Sequence, residues 1–274
     1  MQNKILSEIH KDVSSKLENE IKTLTIKRAV VGIFFTGVEL SNGVGGMSAT
    51  PIKAIPEAVC CPNSTKALPN SGKIKGSGVT EVLEDLHSPY QLRRAIAIAM
   101  LNALIEILWQ RDGMPKDVNV LEGETFLSMN IKKDDKVALV GAFIPFIKEL
   151  IKREQNFKVL ELDPTTLRAE EMKYFAPANR ANEVVPWADV LISTGTTLTN
   201  QTLDELLSFV KDDSQVALIG PTVPLYPKVF KKYKVTTLGG VRVTDAKTLL
   251  DVLSEGGSGY QFFDKTALRV TLNI

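Results

Sequence analysis

Residues 136–150, KVALVGAFIPFIKEL, predict a buried strand, a glycine turn and the start of a helix in direct succession. The strand part, VALV, is apolar at every position, as is typical of a strand covered on both faces in a parallel sheet. This first strand is predicted at 136–140, and comparable strands are predicted at 158–162, 189–193, 215–219, 234–238 and 267–272. Helices are predicted between them at 145–154, 200–211, 224–232 and 245–255. This alternation predicts an α/β protein whose residues 126–274 form a Rossmann-like domain with a doubly wound, mainly parallel sheet.

The first part of the chain has a different pattern, which predicts a separate α+β domain over 1–125. Apolar residues four apart between Ile5 and Ile21 indicate an amphipathic helix over 4–22. Two β-rich runs flank Asn42-Gly43, a pair whose positive φ angles suit a tight hairpin turn. Ser88-Pro89 predict the N-cap and first residue of a long helix that ends near residue 111.

Composition excludes several classes of partner. The 33 Lys and Arg residues nearly cancel the 32 Asp and Glu residues, so there is no basic surplus to attract nucleic acid or anionic lipid. The apolar run 95–109 is shorter than the roughly 20 residues that a membrane-crossing helix needs. The N-terminus lacks the apolar core of a signal peptide. We therefore expect a cytoplasmic protein with a small-molecule partner and neither a nucleic acid nor a membrane partner, and leave a homo-oligomer open.

Cysteine and histidine are scarce in this chain. Cys60 and Cys61 are adjacent, so they close no useful disulfide loop, and the two histidines are His10 and His87. No C-x-x-C or H-x-x-x-H pattern is present, so we predict no dedicated metal ligands.

The ends of the predicted strands give the candidate binding residues, because parallel sheets bind ligands beyond their carboxyl ends. Gly141, Phe143 and Pro145 follow the first strand without a G-x-G-x-x-G pattern, so a dinucleotide pyrophosphate is not expected there. Glu161 stands twenty residues after Gly141, where ribose-binding folds place an acid that accepts hydrogen bonds from sugar hydroxyls.

A threonine-rich segment, TGTTLTN at 194–200, follows the third strand. Its hydroxyl and amide groups, with the backbone N–H groups of the helix start, suit an anionic or hydroxyl-rich ligand group. The alternative is helix capping, since 202–205 fits a capping box. The residues predicted to bind here are Thr194, Gly195, Thr196 and Asn200.

Two further groups complete the predicted site. Gly220, Pro221 and Thr222 follow the fourth strand, where a ligand could lie close to the backbone. Asn102 lies in a polar stripe of the long N-terminal helix and is predicted to reach the site from the other domain. The alternative for this stripe is a narrow solvent-facing surface.

Several of these segments together resemble a known family, named "Putative heavy-metal chelation". The resemblance lies in 86–103, 136–145, 194–207 and 220–225. It implies an N-terminal domain similar to that of enolase, without enolase catalysis, followed by a Rossmann-like domain distantly similar to methyltransferases. It also implies a site in the cleft between the domains, and a role in making or processing a chelator of pterin, flavin or siderophore type.

Three functional hypotheses follow from the sequence. The first is a protein that binds a small polar or anionic metabolite between its domains, as an enzyme in the synthesis or processing of a metal chelator. The second is a non-catalytic carrier of a metal or metal chelate, for which Cys60, Cys61 or His87 would be ligands. The third is an S-adenosylmethionine-dependent methyltransferase, against which the missing glycine-rich loop counts. No nucleophile–base pair or carboxylate dyad is visible, so no catalytic residue and no cofactor are assigned.

Overall fold

A computed structural model describes residues 3–54, 66–123 and 125–274. Cys60 and Cys61 lie outside these ranges. The strands are β1 (Ile26–Val31), β2 (Phe35–Leu40), β3 (Gly45–Ala49), β4 (Asn119–Glu122), β5 (Lys136–Val140), β6 (Asn156–Glu161), β7 (Phe175–Pro177), β8 (Val190–Thr194), β9 (Gln215–Ile219), β10 (Thr237–Val243) and β11 (Ala267–Asn273). The α-helices are α1 (Lys4–Leu17), α2 (Glu20–Thr23), α3 (Val79–Leu83), α4 (Gln91–Asp112), α5 (Thr125–Ser128), α6 (Ile144–Lys152), α7 (Ala181–Trp187), α8 (Thr196–Thr199), α9 (Leu203–Ser208), α10 (Pro227–Phe230), α11 (Ala246–Ser254) and α12 (Gly259–Phe262).

The large sheet confirms the predicted mainly parallel, doubly wound architecture. Its order is β4-β11-β10-β9-β8-β5-β6-β7, and the six strands from β5 to β10 are parallel. Numbered along the chain, these six strands run 3-2-1-4-5-6 across the sheet, the Rossmann order. β11 adds to β10 antiparallel, and β4 adds to β11 antiparallel. The last strand of the first 125 residues therefore extends the large sheet.

The first half contains a small antiparallel sheet, β1-β2-β3. The predicted Asn42-Gly43 hairpin is confirmed between β2 and β3, where the Gly43 N–H donates to the Leu40 carbonyl at 2.9 Å. Only Gly43 takes a positive φ, of 87°, so the turn is not the two-residue type in which both Asn and Gly are left-handed.

Helices from both halves of the chain cover the small sheet. On one face α4 approaches so closely that a Cβ on Gly46 would lie 2.1 Å from the Ala99 carbonyl oxygen. On the other face α11 packs its leucines, and a Cβ on Gly37 would lie 2.6 Å from Leu250. Since α11 belongs to the C-terminal half, the core of the small sheet depends on residues from both halves.

Several boundaries differ from the prediction: the helix predicted at 200–211 is α9 (Leu203–Ser208), that at 224–232 is α10 (Pro227–Phe230), and the strand predicted at 234–238 is β10 (Thr237–Val243). Two helix ends differ for a clear local reason. The first helix ends at Leu17 because Glu18 takes a left-handed φ of 47°, and α2 begins a new helix. Ser88 does not cap α4: its Oγ accepts from the Tyr90 N–H at 3.2 Å in a turn before the helix, and Tyr90 occupies the N-cap position. Within the described ranges, no helix has the length and hydropathy that a membrane crossing requires.

Candidate functional site

A cavity of about 590 Å³ lies at the carboxyl ends of the parallel strands. β5 and β8 are neighbours in the sheet, and the chain continues to β6 on one side and to β9 on the other. Such a switch point leaves a crevice between the two connections, where Rossmann-like folds bind ligands. We call this space the switch-point cavity. Its lining residues are Val140, Gly141, Leu160, Glu161, Leu162, Ala178, Asn179, Ala181, Asn182, Thr194, Thr196, Thr197, Asn200, Thr202, Glu205, Leu206 and Phe209.

Gly141 brings the loop after β5 against the end of β8. Its φ of 99° is one that side-chain-bearing residues rarely adopt, and a Cβ there would lie 3.0 Å from Thr194 Cγ2. Its N–H donates to the Leu160 carbonyl at 3.0 Å, which ties the turn to β6. Glycine is therefore required at this position by both backbone conformation and space.

Glu161 is the last residue of β6, and its carboxylate accepts hydrogen bonds from the backbone of the neighbouring loops. Oε2 accepts from the Ala142 N–H at 3.0 Å, and Oε1 accepts from Leu162 N–H at 2.8 Å and Asp163 N–H at 3.4 Å. A carboxylate offers about four acceptor positions. One position on Oε2 remains after these three bonds, at the wall of the cavity.

The threonine-rich segment is bonded largely to itself. Thr194 Oγ1 accepts from the N–H and the hydroxyl of Thr196, at 3.3 and 3.2 Å, and its carbonyl accepts from the Thr197 hydroxyl at 2.7 Å. Asn200 Oδ1 accepts from the N–H of Thr202 at 3.2 Å and from its hydroxyl at 2.7 Å. The capping box expected over 202–205 is absent, because the Thr202 hydroxyl is used in this turn and caps no amide of α9.

Two polar side chains of the N-terminal half donate hydrogen bonds to backbone carbonyls of the threonine-rich segment. Arg94 of α4 is 3% exposed, and its Nε donates to the Thr199 carbonyl at 2.6 Å. Burial lowers the pKa of this guanidinium. Asn3 Nδ2 donates to the Leu198 carbonyl at 3.0 Å. The position of the cavity wall therefore depends on contacts between the two halves of the chain.

Five predicted residues line the cavity together, and seven do not. The five are Gly141, Glu161, Thr194, Thr196 and Asn200. The seven that do not line it are Asn102, Phe143, Pro145, Gly195, Gly220, Pro221 and Thr222.

Asn102 and the 220–222 loop meet elsewhere, at the joint between the small and large sheets. Asn102 Nδ2 donates to the Met47 carbonyl at 2.9 Å and to the Pro221 carbonyl at 3.2 Å. Thr222 Oγ1 accepts from the Ala49 N–H at 3.0 Å. Gly195 also packs against Thr222, since a Cβ on it would lie 3.0 Å from Thr222 Cβ.

Phe143 and Pro145 start α6. The Phe143 ring stacks on Phe146 with centroids 5.1 Å apart, within the core on that side of the sheet, and Pro145 is exposed in the first turn. A ligand-binding role for these two residues, as for the residues at the joint, stays a prediction.

Three lining residues, Asn179, Asn182 and Glu205, were not predicted from the sequence to belong to the site. Asn179 follows β7, a three-residue strand that the sequence analysis did not predict because it is short and ends in Pro177. The available signal was the spacing of the two asparagines, three residues apart at the start of a helix, which places both on one face. Glu205 was assigned to the capping box expected over 202–205, which the structure does not contain.

The strand order and the cavity at the switch point define a protein of the Rossmann-like α/β class. A family model described as "Putative heavy-metal chelation" matches residues 124–272, more than half of the chain, and a second model with the same description matches 14–105. The chain belongs to this family, as its motifs suggested.

Relatives of this chain include solved structures. It is similar to a protein of unknown function from the DUF364 family of Pyrococcus horikoshii, with 20% identity, TM-score 0.75, and coverage of 98% of this chain and 100% of that one. It is also similar to a DUF364 protein of unknown function from Desulfitobacterium hafniense, with 19% identity, TM-score 0.69, and coverage of 96% and 99%. These likenesses establish a shared fold.

A curated relative, an uncharacterized protein of Methanocaldococcus jannaschii, is 27% identical over 178 residues. The match spans 62% of this chain and 62% of that relative's length.

A directly bound metal ion would need several nitrogen, sulfur or carboxylate ligands. In 3–54, 66–123 and 125–274, no group of three or more His, Cys, Asp or Glu side chains is arranged to hold one. His87 is exposed in the short turn before α4. The described residues therefore do not fit a bare metal ion.

Proposed function

We propose that the protein binds a small polar organic molecule in the switch-point cavity and acts in the synthesis or processing of a metal chelator. One observation carries the binding proposal: five residues from three strand ends, chosen from sequence pattern alone, line one cavity at the switch point. Its volume of about 590 Å³ falls in the range typical of metabolite sites. The family description favours a connection with chelation.

The cavity offers both acceptors and donors to such a ligand. Glu161 Oε2 has one acceptor position left for a ligand hydroxyl. The Asn200 side chain is fixed by the two hydrogen bonds that its Oδ1 accepts from Thr202. Its Nδ2 donates to none of the described residues, so Nδ2 can donate to a carbonyl or ring nitrogen of the ligand. Thr196 also lines the cavity, and its hydroxyl, which donates to Thr194 Oγ1 at 3.2 Å, can accept a hydrogen bond. Fixed polar groups on mostly apolar walls give a ligand orientation and specificity.

The test is native mass spectrometry of the protein purified without denaturation from its own source. Thr196→Trp fills the cavity with an indole ring. Thr248→Trp adds the same ring on the exposed surface of α11 and is the matched control. We expect wild type and Thr248→Trp to carry an organic molecule that Thr196→Trp has lost. A wild-type protein without any such molecule, or one that Thr196→Trp retains, would contradict the proposal.

A further inference from the structure

We infer that the ligand of the switch-point cavity is a neutral or cationic molecule of nucleoside type, with a hydroxylated group joined to a planar heteroaromatic ring and no phosphate. The inference rests on the proposed function and specifies the chemical class of the ligand. It depends on the charge of the lining, the hydrogen bonds of the β5–α6 loop and the distribution of apolar and amide groups.

The charged groups that line the cavity are acidic. Glu161 and Glu205 are among the lining residues, which include no Lys, Arg or His in the described part of the chain. Arg180, which lies in sequence between the lining residues Asn179 and Ala181, pairs with Glu183, and Lys53 pairs with Asp163, the residue after Leu162. Two carboxylates without cations favour a neutral or positively charged ligand and repel a phosphate.

In Rossmann proteins the loop after the first strand binds phosphates. In this chain most of the backbone N–H groups of that loop, which follows β5, already donate to other acceptors. Phosphate binding there uses free N–H groups at the start of the following helix. Ala142 donates to Glu161 at 3.0 Å, and Phe143 donates to the Gly141 carbonyl at 3.0 Å. The N–H groups of 146 and 147 both donate to the Phe143 carbonyl at 2.9 Å, and Pro145 has no N–H.

The remaining features suit a sugar-like group and a flat ring. The free acceptor position of Glu161 lies where this fold receives a ribose hydroxyl. The lining also contains apolar side chains, at Leu162, Leu206 and Phe209, and the amides of Asn179, Asn182 and Asn200. Leu162 is 75% exposed, an unusual state for a leucine that a stacked ring would cover. Apolar faces with amides at the edge match a heteroaromatic base.

The test uses pairs of compounds that differ by one phosphate: adenosine with adenosine monophosphate, and riboflavin with flavin mononucleotide. Isothermal titration calorimetry at low ionic strength gives the affinities, since exposed charges are screened by salt. We expect at least one unphosphorylated compound to bind and its phosphorylated partner to bind at least about tenfold more weakly, a difference of about 1.4 kcal/mol. Glu205→Gln should reduce this difference in affinity between the two compounds of a pair. Glu255 is an exposed acid at the end of α11, so Glu255→Gln should leave the difference unchanged.

The outcomes separate this inference from the proposed function. Equal or tighter binding of the phosphorylated partner, binding that Thr196→Trp does not weaken, or no binding by any of the four compounds overturns the inference. If the natively purified protein still carries an organic molecule that Thr196→Trp loses, the proposed function stands and only the ligand class is wrong. If no such molecule is found, both fail.

Discussion

The Glu161 carboxylate accepts a hydrogen bond from the Ala142 N–H at 3.0 Å, so the end of β6 holds the loop that follows β5. The residue chosen as a ligand acceptor is therefore also a structural clamp for the glycine turn at 141. A substitution of Glu161 should affect both the stability of the fold and the binding site. A variant that changes only part of the carboxylate allows the two effects to be measured separately.

Glu161→Gln should lower the free energy of unfolding by about 1–3 kcal/mol. The glutamine side chain has one acceptor oxygen and one NH₂ group, so one or more of the three backbone N–H donors is left without a partner. Urea unfolding measures the loss. Glu205→Gln, an exposed glutamate in the same cavity, is the control and should change stability by less than about 0.5 kcal/mol. Equal stability of the two variants would show that the clamp contributes nothing.

The Asn200 side chain has an oxygen with a structural role and an amide nitrogen that donates to none of the described residues, and two substitutions distinguish them. Asn200→Ala removes the acceptor for the Thr202 N–H and hydroxyl, and should cost about 1 kcal/mol without ligand. Asn200→Asp keeps that acceptor and should melt within a few degrees of wild type, but it lacks the Nδ2 donor. If Nδ2 holds the ligand, the ligand-induced rise in Tm shrinks in both variants. An Asn200→Ala protein that melts like wild type would contradict the structural role.

Gly46→Ala should destabilise the protein by more than about 3 kcal/mol, because the added methyl group would meet backbone atoms of α4 that cannot move independently. The Cβ would lie 2.1 Å from the Ala99 carbonyl oxygen and 2.5 Å from the Ala103 nitrogen. Gly78→Ala is the control: its Cβ meets no atom of the described residues within 4 Å, and its φ is −66°. Chemical denaturation compares the two variants, and a Gly46→Ala protein as stable as Gly78→Ala would mean that α4 can shift away from β3.

Stability should fall above pH 10 partly because of Tyr233. Burial, with the hydrogen bond from its hydroxyl to Glu8 at 2.6 Å, raises the pKa of Tyr233 to about 12 from 10.0. Between these values the unfolded chain loses a proton that the folded protein keeps. The stabilising contribution is thus complete below pH 10 and is lost as the pH rises through about 12.

Tyr233→Phe lacks this titration, so the stability advantage of wild type over the variant should shrink from pH 10 upward. Urea unfolding at several pH values measures it. Tyr260→Phe is the control, because Tyr260 is 92% exposed. A wild-type advantage that stays constant up to pH 11.5 would contradict the assignment.

Features fixed by local sequence were predicted well. The bounds of β5 and β9 coincide with the predicted strands, because runs such as VALV are buried on both faces wherever they lie in a parallel sheet. The Asn42-Gly43 turn was found because Gly43 can take a positive φ without steric cost. Gly141 and Glu161 were placed together because one strand–helix–strand unit of regular length brings both to the same edge.

Features that depend on distant parts of the chain were not predictable in this way. Asn102 was expected in the site, but it bonds to Pro221, 119 residues away, because α4 packs at the joint between the sheets. Asn179 and Asn182 reach the cavity because β7 pairs beside β6, and three residues of strand carry too little pattern to indicate that pairing.

The amino-acid pattern thus indicates the longer strands and helices and the hairpin turn, because periodicity, glycine and proline act through the local backbone. It also indicates the mainly parallel sheet, because fully apolar strands that alternate with helices are typical of that arrangement. Tertiary structure alone decides which strand ends meet, that a helix of the C-terminal half completes the N-terminal core, and that the cavity wall is held by Arg94 from the other half. The reason is that such contacts join residues far apart in sequence, and their geometry depends on how all the elements pack.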